Sequence, residues 1–348
     1  MKMEYYEHTS QKKKILIKVK GAFYLVDKDS TSEFKLDKSN GEDLLKKRTF
    51  DKSNLVYNKI NDIRNSQRFK WLFEEEKEDI LKRIECGPIK HSTPGVYVCG
   101  DTHNNIDLKK INDWDSEEGG LLTKDDILIV LGDWGGILGK TLKGVRKDEK
   151  IQRKWIRKPY TLIVQLGNHE NYDKIKKLPK IEKYGGLFYE KKIYTYDRSK
   201  YLGSILLMMR GEIYTIYGKT FFSMGGARSY SPNVDFYWED LEVANSIEIA
   251  QAYKNLERFN FKVDYVITHT CPLYVGKELM TYFKPFGRCI STTTRYNAKI
   301  NFDPMTELFE DIAKKTTFKA WHFGHWHLDQ KIGEKYQCHY NGRPLRLL

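Results

Sequence analysis

The sequence predicts an α/β protein: a layered α/β sandwich with mixed sheets, preceded by a smaller α+β segment. Three observations carry this. Short apolar runs, each followed by a polar loop, recur from residue 95 onward. Helix-like segments lie between several of these runs, and residues 1–92 follow a different pattern that ends near a Ser92-Thr93-Pro94 linker. Apolar runs of four to six residues without strict alternation mark strands buried on both faces. With 348 residues, 40% of them hydrophobic, the chain has room for one large domain and an appendage. The expected division is an accessory region over 1–92 and a main domain over 93–348.

Within the first region, Lys14–Lys20 and Phe23–Val26 are β-rich and separated by Gly21, which predicts a hairpin. A polar loop follows to about residue 54. Trp71–Cys86 reads as a helix, with Glu78/Lys82 and Asp79/Arg83 as i,i+4 pairs and Gly87-Pro88 as its stop. Nothing in this region carries recognisable chemistry, so docking a partner, covering a site and assembling copies are all open roles. In the main domain the expected strands are Val96–Cys99, Ile127–Leu131, Leu162–Leu166, Val263–Thr268 and Lys319–Phe323. Helices are expected within Glu239–Asn260 and Thr306–Lys315. Two hairpins are expected: Glu212–Tyr217 with Thr220–Met224 around Gly218-Lys219, and Tyr336–Tyr340 with Leu345–Leu348 around Asn341-Gly342.

Net charge is +13 and the pI about 9.2, which favours anionic partners: phosphoester small molecules, nucleotides or nucleic acid. The excess is spread along the chain, with 21 basic and 16 acidic residues in 1–92 against 39 and 31 beyond, which weakens the case for a dedicated basic tail. Five widely spaced cysteines without a C-x-x-C pair argue against a zinc knuckle or a disulfide framework. Met1–Lys14 is charged and lacks an apolar core, and runs such as Ile205–Met209 are too short to span a bilayer. The expectation is a cytoplasmic protein with reduced thiols and no membrane partner; the oligomeric state is left open.

The chemistry stands at the strand ends. Gly100-Asp101-Thr102-His103, Gly132-Asp133-Trp134-Gly135, Gly167-Asn168-His169-Glu170, His269 and Gly324-His325-Trp326-His327 each follow a predicted strand. In α/β sheets, ligands collect at the carboxyl ends of strands, where loops converge. Carboxylate, amide oxygen and imidazole donors without a thiolate suit Mn²⁺, Fe, Zn²⁺ or Ni²⁺. Seven donors exceed the needs of one ion and suit two, typically ~3.5–4 Å apart, clamping both oxygens of a phosphoryl displacement. A glycine before a ligand lets the backbone turn sharply out of the strand.

These blocks, in this order, resemble the calcineurin-like metallophosphoesterases, whose pattern runs D-x-H, G-D, G-N-H-[DE], a lone His and G-H-x-H. The likeness covers about residues 95–335 and is nearest to bacterial members with G-D-[FW]-G, here Gly132–Gly135, and with R-G-E and G-G-A, here Arg210–Glu212 and Gly225–Ala227. The fold this resemblance implies is an α/β/β/α sandwich with two mixed sheets. It also implies two divalent metals, Mn²⁺ first among them: one held by Asp101, His103 and His327, the other by Asn168, His269 and His325, with Asp133 bridging. A metal-bridging hydroxide would be the nucleophile and His169 the acid, with Asp133 the most damaging residue to lose. The protein phosphatase branch continues its second block with D-R-G; here Trp134-Gly135-Gly136 stands instead, which lowers that reading.

The reaction expected is hydrolysis of a phosphodiester or nucleotide-type phosphate. Its rivals are a nuclease with the same centre, a phosphomonoesterase or protein phosphatase, and a non-catalytic protein-binding scaffold. The scaffold is disfavoured because such members lose ligands that this chain keeps. Trp134 and Trp326 are weighed as stacking platforms, and Arg228 and Asn104 as further substrate contacts. Arg210 is read as a structural partner of Glu212, and Glu170 as a support for backbone. His8, His91, His322 and His339 are read as ordinary structural residues, and Cys271 as packed.

Overall fold

The computed structural model describes residues 94–104, 106–229, 239–283 and 303–348, together with five N-terminal strands. The chain divides into two compact units, Met1–Pro88 and Ile89–Leu348. In the first, β1 (Glu4–His8), β2 (Lys14–Val19), β3 (Ala22–Asp27), β4 (Glu33–Leu36) and β5 (Phe50–Lys52) form an antiparallel sheet in the order β4-β3-β2-β1-β5. The expected hairpin is the β2-β3 pair, with Val19 opposite Ala22. The helix expected over Trp71–Cys86 lies outside the described residues.

The second unit contains two mixed sheets. The first uses β6 (Val96–Cys99), β7 (Ile127–Val130), β8 (Thr161–Val164), β9 (Lys180–Lys183), β10 (Gly186–Tyr194) and β11 (Tyr201–Met208). The second uses β12 (Glu212–Ile216), β13 (Lys219–Met224), β14 (Tyr265–Thr268), β15 (Ala320–Phe323), β16 (Gln330–Ile332) and β17 (Tyr336–Cys338). Strand β18 (Leu345–Arg346) returns to the first sheet, so the orders are β18-β6-β7-β8-β11-β10-β9 and β12-β13-β14-β15-β17-β16. In each sheet four central strands run parallel and antiparallel strands close the edges. Among the described residues six helices accompany them: α1 (Lys109–Asp115), α2 (Leu142–Ile156), α3 (Tyr172–Ile175), α4 (Ser246–Arg258), α5 (Leu273–Phe283) and α6 (Pro304–Lys315).

The continuous apolar runs follow from this layering. Along β6 and β7, Val96, Val98, Ile127 and Ile129 face the second sheet and join Phe221 and Ile267 in one cluster. Their neighbours Tyr97, Leu128 and Val130 face outward and join Trp114 of α1 and Trp155 of α2. Across the second sheet, Phe222, Val266 and Trp321 pack with Leu256 of α4, Val275 of α5 and Phe309 of α6. The domain is therefore an α/β/β/α sandwich with both sheets covered on both faces. Each fully buried side chain of this size contributes roughly 1.5–3 kcal/mol.

Local signals set the helix starts. Asn245 and Glu248 form a capping box on α4, and Asp303 accepts from Met305 N at 2.9 Å ahead of Pro304 on α6. The hairpin β12-β13 forms with Ile216 opposite Lys219, so its turn is Tyr217-Gly218, both at positive φ (49° and 77°), one residue earlier than expected.

The second expected hairpin does not form. Tyr336–Cys338 pairs with β15 and β16, whereas Leu345–Arg346 crosses to β6 in the other sheet. The Asn341-Gly342 turn is instead wrapped around Asp329, whose carboxylate accepts from Tyr340 N at 2.8 Å and from Asn341 N and Gly342 N at 2.9 Å. A side-chain anchor has displaced the strand ladder at a dipeptide that usually closes one.

Candidate metal centre

Strand register levels the loops. Cys99 pairs with Val130 and Val130 with Val164, so the first three blocks leave neighbouring strand ends side by side. In the facing sheet Ile267 pairs with His322, which levels the His269 and His325 loops in turn. Backbone bonds tie the first two loops together: Thr102 N and His103 N donate to Asp133 O at 3.2 and 2.8 Å, and Asn104 N donates to Trp134 O at 3.0 Å.

All seven residues expected to hold metal converge. Asp101, Asp133, Asn168, His269 and His325 form a buried floor, none more than 3% exposed. His103 is half-buried and His327 exposed, and they make the mouth beside His169. Two groups bring their ligand atoms within 4.8 Å of one another: Asp101, His103 and His327, and Asp101, Asp133 and His269. Asp133 stands between the two sides. Its Oδ2 lies 3.3 Å from His103 Nε2 and its Oδ1 3.4 Å from His269 Nε2. Asn168 Oδ1 is 3.0 Å from both His269 Nε2 and His325 Nδ1. Asp101 Oδ2 faces His327 Nε2 at 3.2 Å yet takes part in no well-formed hydrogen bond.

Backbone strain marks the same residues. His103, Asp133, His325 and His327 all adopt left-handed φ values of 40–66°, a conformation costly for residues other than glycine and concentrated at functional sites. The preceding glycines have a further reason to be there. A Cβ on Gly132, itself at φ 93°, would collide with the His269 ring. One on Gly167 would strike the Asp133 carboxylate, and one on Gly324 the Asp101 carboxylate. Sharp turning, the role expected from sequence, holds at Gly132; at Gly167 and Gly324 the requirement is room for a ligand from another loop.

The electrostatics fit cations. Burial would raise both carboxyls, but the imidazoles overcome it: His327 and His269 bring Asp101 down to about 2, and His269, His169 and His103 hold Asp133 well below the usual carboxylate range. Burial would likewise depress the imidazoles, yet Asp133, Asp101 and Asp107 lift His103 to about 10, while Asp133 and Asp101 lift His269 to about 9. Two buried carboxylates that draw protons onto the neighbouring imidazoles favour positive charge strongly, and this oxygen and nitrogen set suits divalent ions. The residues present fit such a group.

A supporting ring surrounds the donors. Asp107 Oδ2 lies 2.6 Å from His103 Nδ1, and its Oδ1 accepts from Tyr340 OH at 3.2 Å. The Tyr340 ring stacks on His327 at 4.5 Å and 12°. Lys110, buried, donates to the carbonyls of Asp101 and Tyr340. Asn168 Nδ2 donates to Ser229 Oγ at 2.8 Å, and Ser229 N donates to Glu242 at 2.7 Å. Glu170 accepts from Trp134 N at 2.8 Å and Gly167 N at 2.7 Å, tying the second and third loops; burial and Asp133 push its carboxyl up to about 8. Sequence reasoning caught Glu170 but missed Asp107, Lys110, Ser229, Glu242 and Tyr340. Only Asp107, four residues beyond His103, offered a local signal.

Two other assignments need correction, and the remaining candidates lie as follows. Trp134 and Trp326 are fully buried in separate core clusters, so neither ring has a face to offer a ligand. Arg210 does not pair with Glu212. It reaches Glu248 at 3.0 Å and the carbonyls of Gly225, Leu241, Glu242 and Val243, with Tyr172 under its guanidinium at 4.7 Å. Asn104 is buried, with Oδ1 lacking a protein partner, and Arg228 is half-buried beside Asp303. His169 N donates to Asp133 Oδ1 at 2.9 Å, and its Nδ1 is buried without a protein partner. His322 and His339 bond each other at 3.0 Å, away from the donors, and Cys271 is fully buried.

The family model described as calcineurin-like phosphoesterase matches residues 95–329. No curated protein matches the chain.

Proposed function

Because this chain belongs to the calcineurin-like phosphoesterase family, a family of metal-dependent phosphoester hydrolases, we propose that it cleaves phosphodiester or nucleotide-type substrates at this centre. In this reading Asp101, His103 and His327 hold one divalent cation, and Asn168, His269 and His325 a second. The observation that carries it is Asp133, which turns one carboxylate oxygen toward His103 and the other toward His269. Divalent ions bound there supply Lewis-acid charge to a phosphoryl oxygen and lower the pKa of water towards ~7.

The protein's own contribution is placement. The His169 peptide N–H is fixed on Asp133, which aims its ring at the mouth, where a partly exposed imidazole can pass a proton to the leaving oxygen. Asn104 Oδ1, buried and free of protein partners, can take a donor from substrate. The diester preference rests on charge. A monoester dianion favours a guanidinium clamp, and here the loop after Asp133 has no arginine, while Arg210 is fully engaged by carbonyls and Glu248.

One substrate panel in Mn²⁺, Zn²⁺ or Ni²⁺ tests this, comparing p-nitrophenyl phosphate, bis(p-nitrophenyl) phosphate, cyclic and linear nucleotides, and polynucleotides. Diester turnover well above monoester turnover, abolished in Asp133→Asn and cut at least ~100-fold in His169→Ala, is the expected result. Cleavage of polynucleotides alone would replace it with the nuclease reading, and equal turnover in Asp133→Asn would end the mechanism.

A further inference from the structure

Helix α2 carries chemistry that the metal centre does not use. Its sequence, LKGVRKDEKIQRKWI, contains two acids, and both are engaged. Asp148 is buried and accepts from Leu138 N at 3.0 Å and Gly139 N at 2.8 Å. Glu149 faces Arg153 at 3.3 Å and Arg198 at 4.0 Å. The outer face is therefore cationic. Lys143, Lys147, Lys150, Lys154 and Arg157 are exposed and recur at spacings of three and four, one side of a helix. None of the five has an ion pair among the described residues. At 1.5 Å per residue the stripe is about 21 Å long.

Beside its C-terminal half lies an open hollow of about 670 Å³, lined by Lys150, Arg153, Lys154, Arg157, Lys158 and Tyr196 among others. Lys158 is paired with Asp115 and Arg153 with Glu149, whereas Lys150, Lys154 and Arg157 have no ion pair among the described residues. Arg153 is a built feature of this hollow, with its side chain only 8% exposed. Nε donates to Tyr194 O at 2.9 Å, while Nη1 is buried and has no protein partner. The guanidinium sits 3.9 Å from the centroid of the Tyr196 ring. Tyr196 is 69% exposed, which leaves its other face to solvent. A second hollow of about 190 Å³ shares Arg153 and adds Lys191, Lys192 and Arg198. Burial and the neighbouring Lys158 push the Lys154 ammonium down from its ordinary value, as crowded like charges do.

We propose that this face binds single-stranded nucleic acid, with backbone phosphates along the α2 cations and Arg153 and a base stacked on the open face of Tyr196. Unpaired cations beside an exposed aromatic ring are the combination that holds single strands without sequence preference. The stripe is longer than a mononucleotide can use. The apolar face of α2, with Ile151 and Trp155, is committed to the core, so beyond the exposed Leu142 at its start the helix has little apolar surface to insert into a bilayer. The inference stands whether or not the metal centre hydrolyses diesters.

The test uses the full-length protein in EDTA, so that no strand is cut, with fluorescein-labelled 20-residue single strands followed by anisotropy. Reversing Lys150, Lys154 and Arg157 together (K150E, K154E, R157E), all solvent-facing, should weaken binding at least ~10-fold and flatten the log–log salt slope by about 2, at ~0.7 per lost phosphate contact. Tyr196→Ala should weaken it about fivefold or more with the salt slope unchanged. Both proteins should turn over bis(p-nitrophenyl) phosphate as wild type does. Wild-type strand affinity in the triple variant overturns the proposal. So does binding to phosphatidylserine vesicles that equals strand binding and responds to the same reversals, which would make the face a membrane contact.

Discussion

Removing the carboxylate behind His103 is the sharpest test of how this centre is held. Asp107 Oδ2, at 2.6 Å from His103 Nδ1, accepts the Nδ1 proton, which leaves Nε2, 3.3 Å from Asp133 Oδ2, as the nitrogen that would hold a metal once its own proton is lost. The same carboxylate receives Tyr340 OH, whose ring lies flat on His327, so one residue steadies both imidazoles at the mouth. A charge-assisted hydrogen bond of this kind contributes about 1.5–3 kcal/mol, or roughly 10–100-fold in metal affinity. Asp107→Asn keeps an acceptor for Nδ1 but loses the charge, so about tenfold weaker Mn²⁺ binding is expected; Asp107→Ala loses both and should approach a hundredfold. Tyr340→Phe, which keeps the stack and loses only a 3.2 Å bond, should cost less than either. Mn²⁺ titration against a competing chelator reads the series, with bis(p-nitrophenyl) phosphate turnover measured in parallel. If Asp107→Ala binds Mn²⁺ within twofold of wild type, His103 is oriented by something else and the reasoning fails.

Three further outcomes are expected. With His103 lifted to about 10 and His269 to about 9, both imidazoles are protonated at pH 7.5 and must release their protons to ligate. Calorimetry in buffers of different ionisation enthalpy should therefore show about two protons released on metal loading, with affinity rising with pH; zero release would contradict the charge balance described. Burial holds His339 down at about 3 and His322 well below its usual value, so the unfolded chain takes up protons that the folded one refuses. Their stabilisation is complete above about pH 6.5 and drains as pH falls, for His339 by about 2 kcal/mol at pH 5, and His339→Gln should remove that share of the loss in urea unfolding. Glu170→Gln places an amide NH₂ against a backbone N–H of Trp134 or Gly167, so a loss of about 1–3 kcal/mol in unfolding free energy is expected along with faster Mn²⁺ loss to chelator. Unchanged stability would mean that Glu170 does not couple the two loops.

The donors could be read from the chain because each follows its strand directly, and a parallel register then has only one way to set strand ends level. Whatever depends on distant pairing could not. Asp107 and Tyr340 are separated by 233 residues, and Asn168 and Ser229 by 61, with no periodicity to announce either contact. The antiparallel strands β9, at the edge, and β10, beside it, KIEK and GLFYEKKIY, mix exposed charge with buried side chains, so their sequence lacks the apolar continuity of the central strands. Asn341-Gly342 misled for a different reason: local turn preference says that the chain reverses, and not which strand receives it afterwards. Asp329 binds that turn while β17 and β18 join opposite sheets.

The glycines show where the two kinds of information meet. Read locally, the glycine that opens four of the five ligand blocks marks a backbone turn, and at Gly132, with φ at 93°, that is what it does. Gly167 and Gly324 have no such φ, and what bars a side chain there is a carboxylate arriving from another loop, Asp133 in one case and Asp101 in the other. The same chemical fact, absence of a Cβ, thus serves geometry at one strand end and packing at two more. The consequence is mechanical: the loops interlock through the ligands themselves, so displacing any one of them moves a donor that belongs to its neighbour. A centre built in this way tolerates no extra carbon beside its carboxylates, and that intolerance, more than the donor residues alone, explains why the glycine recurs ahead of them.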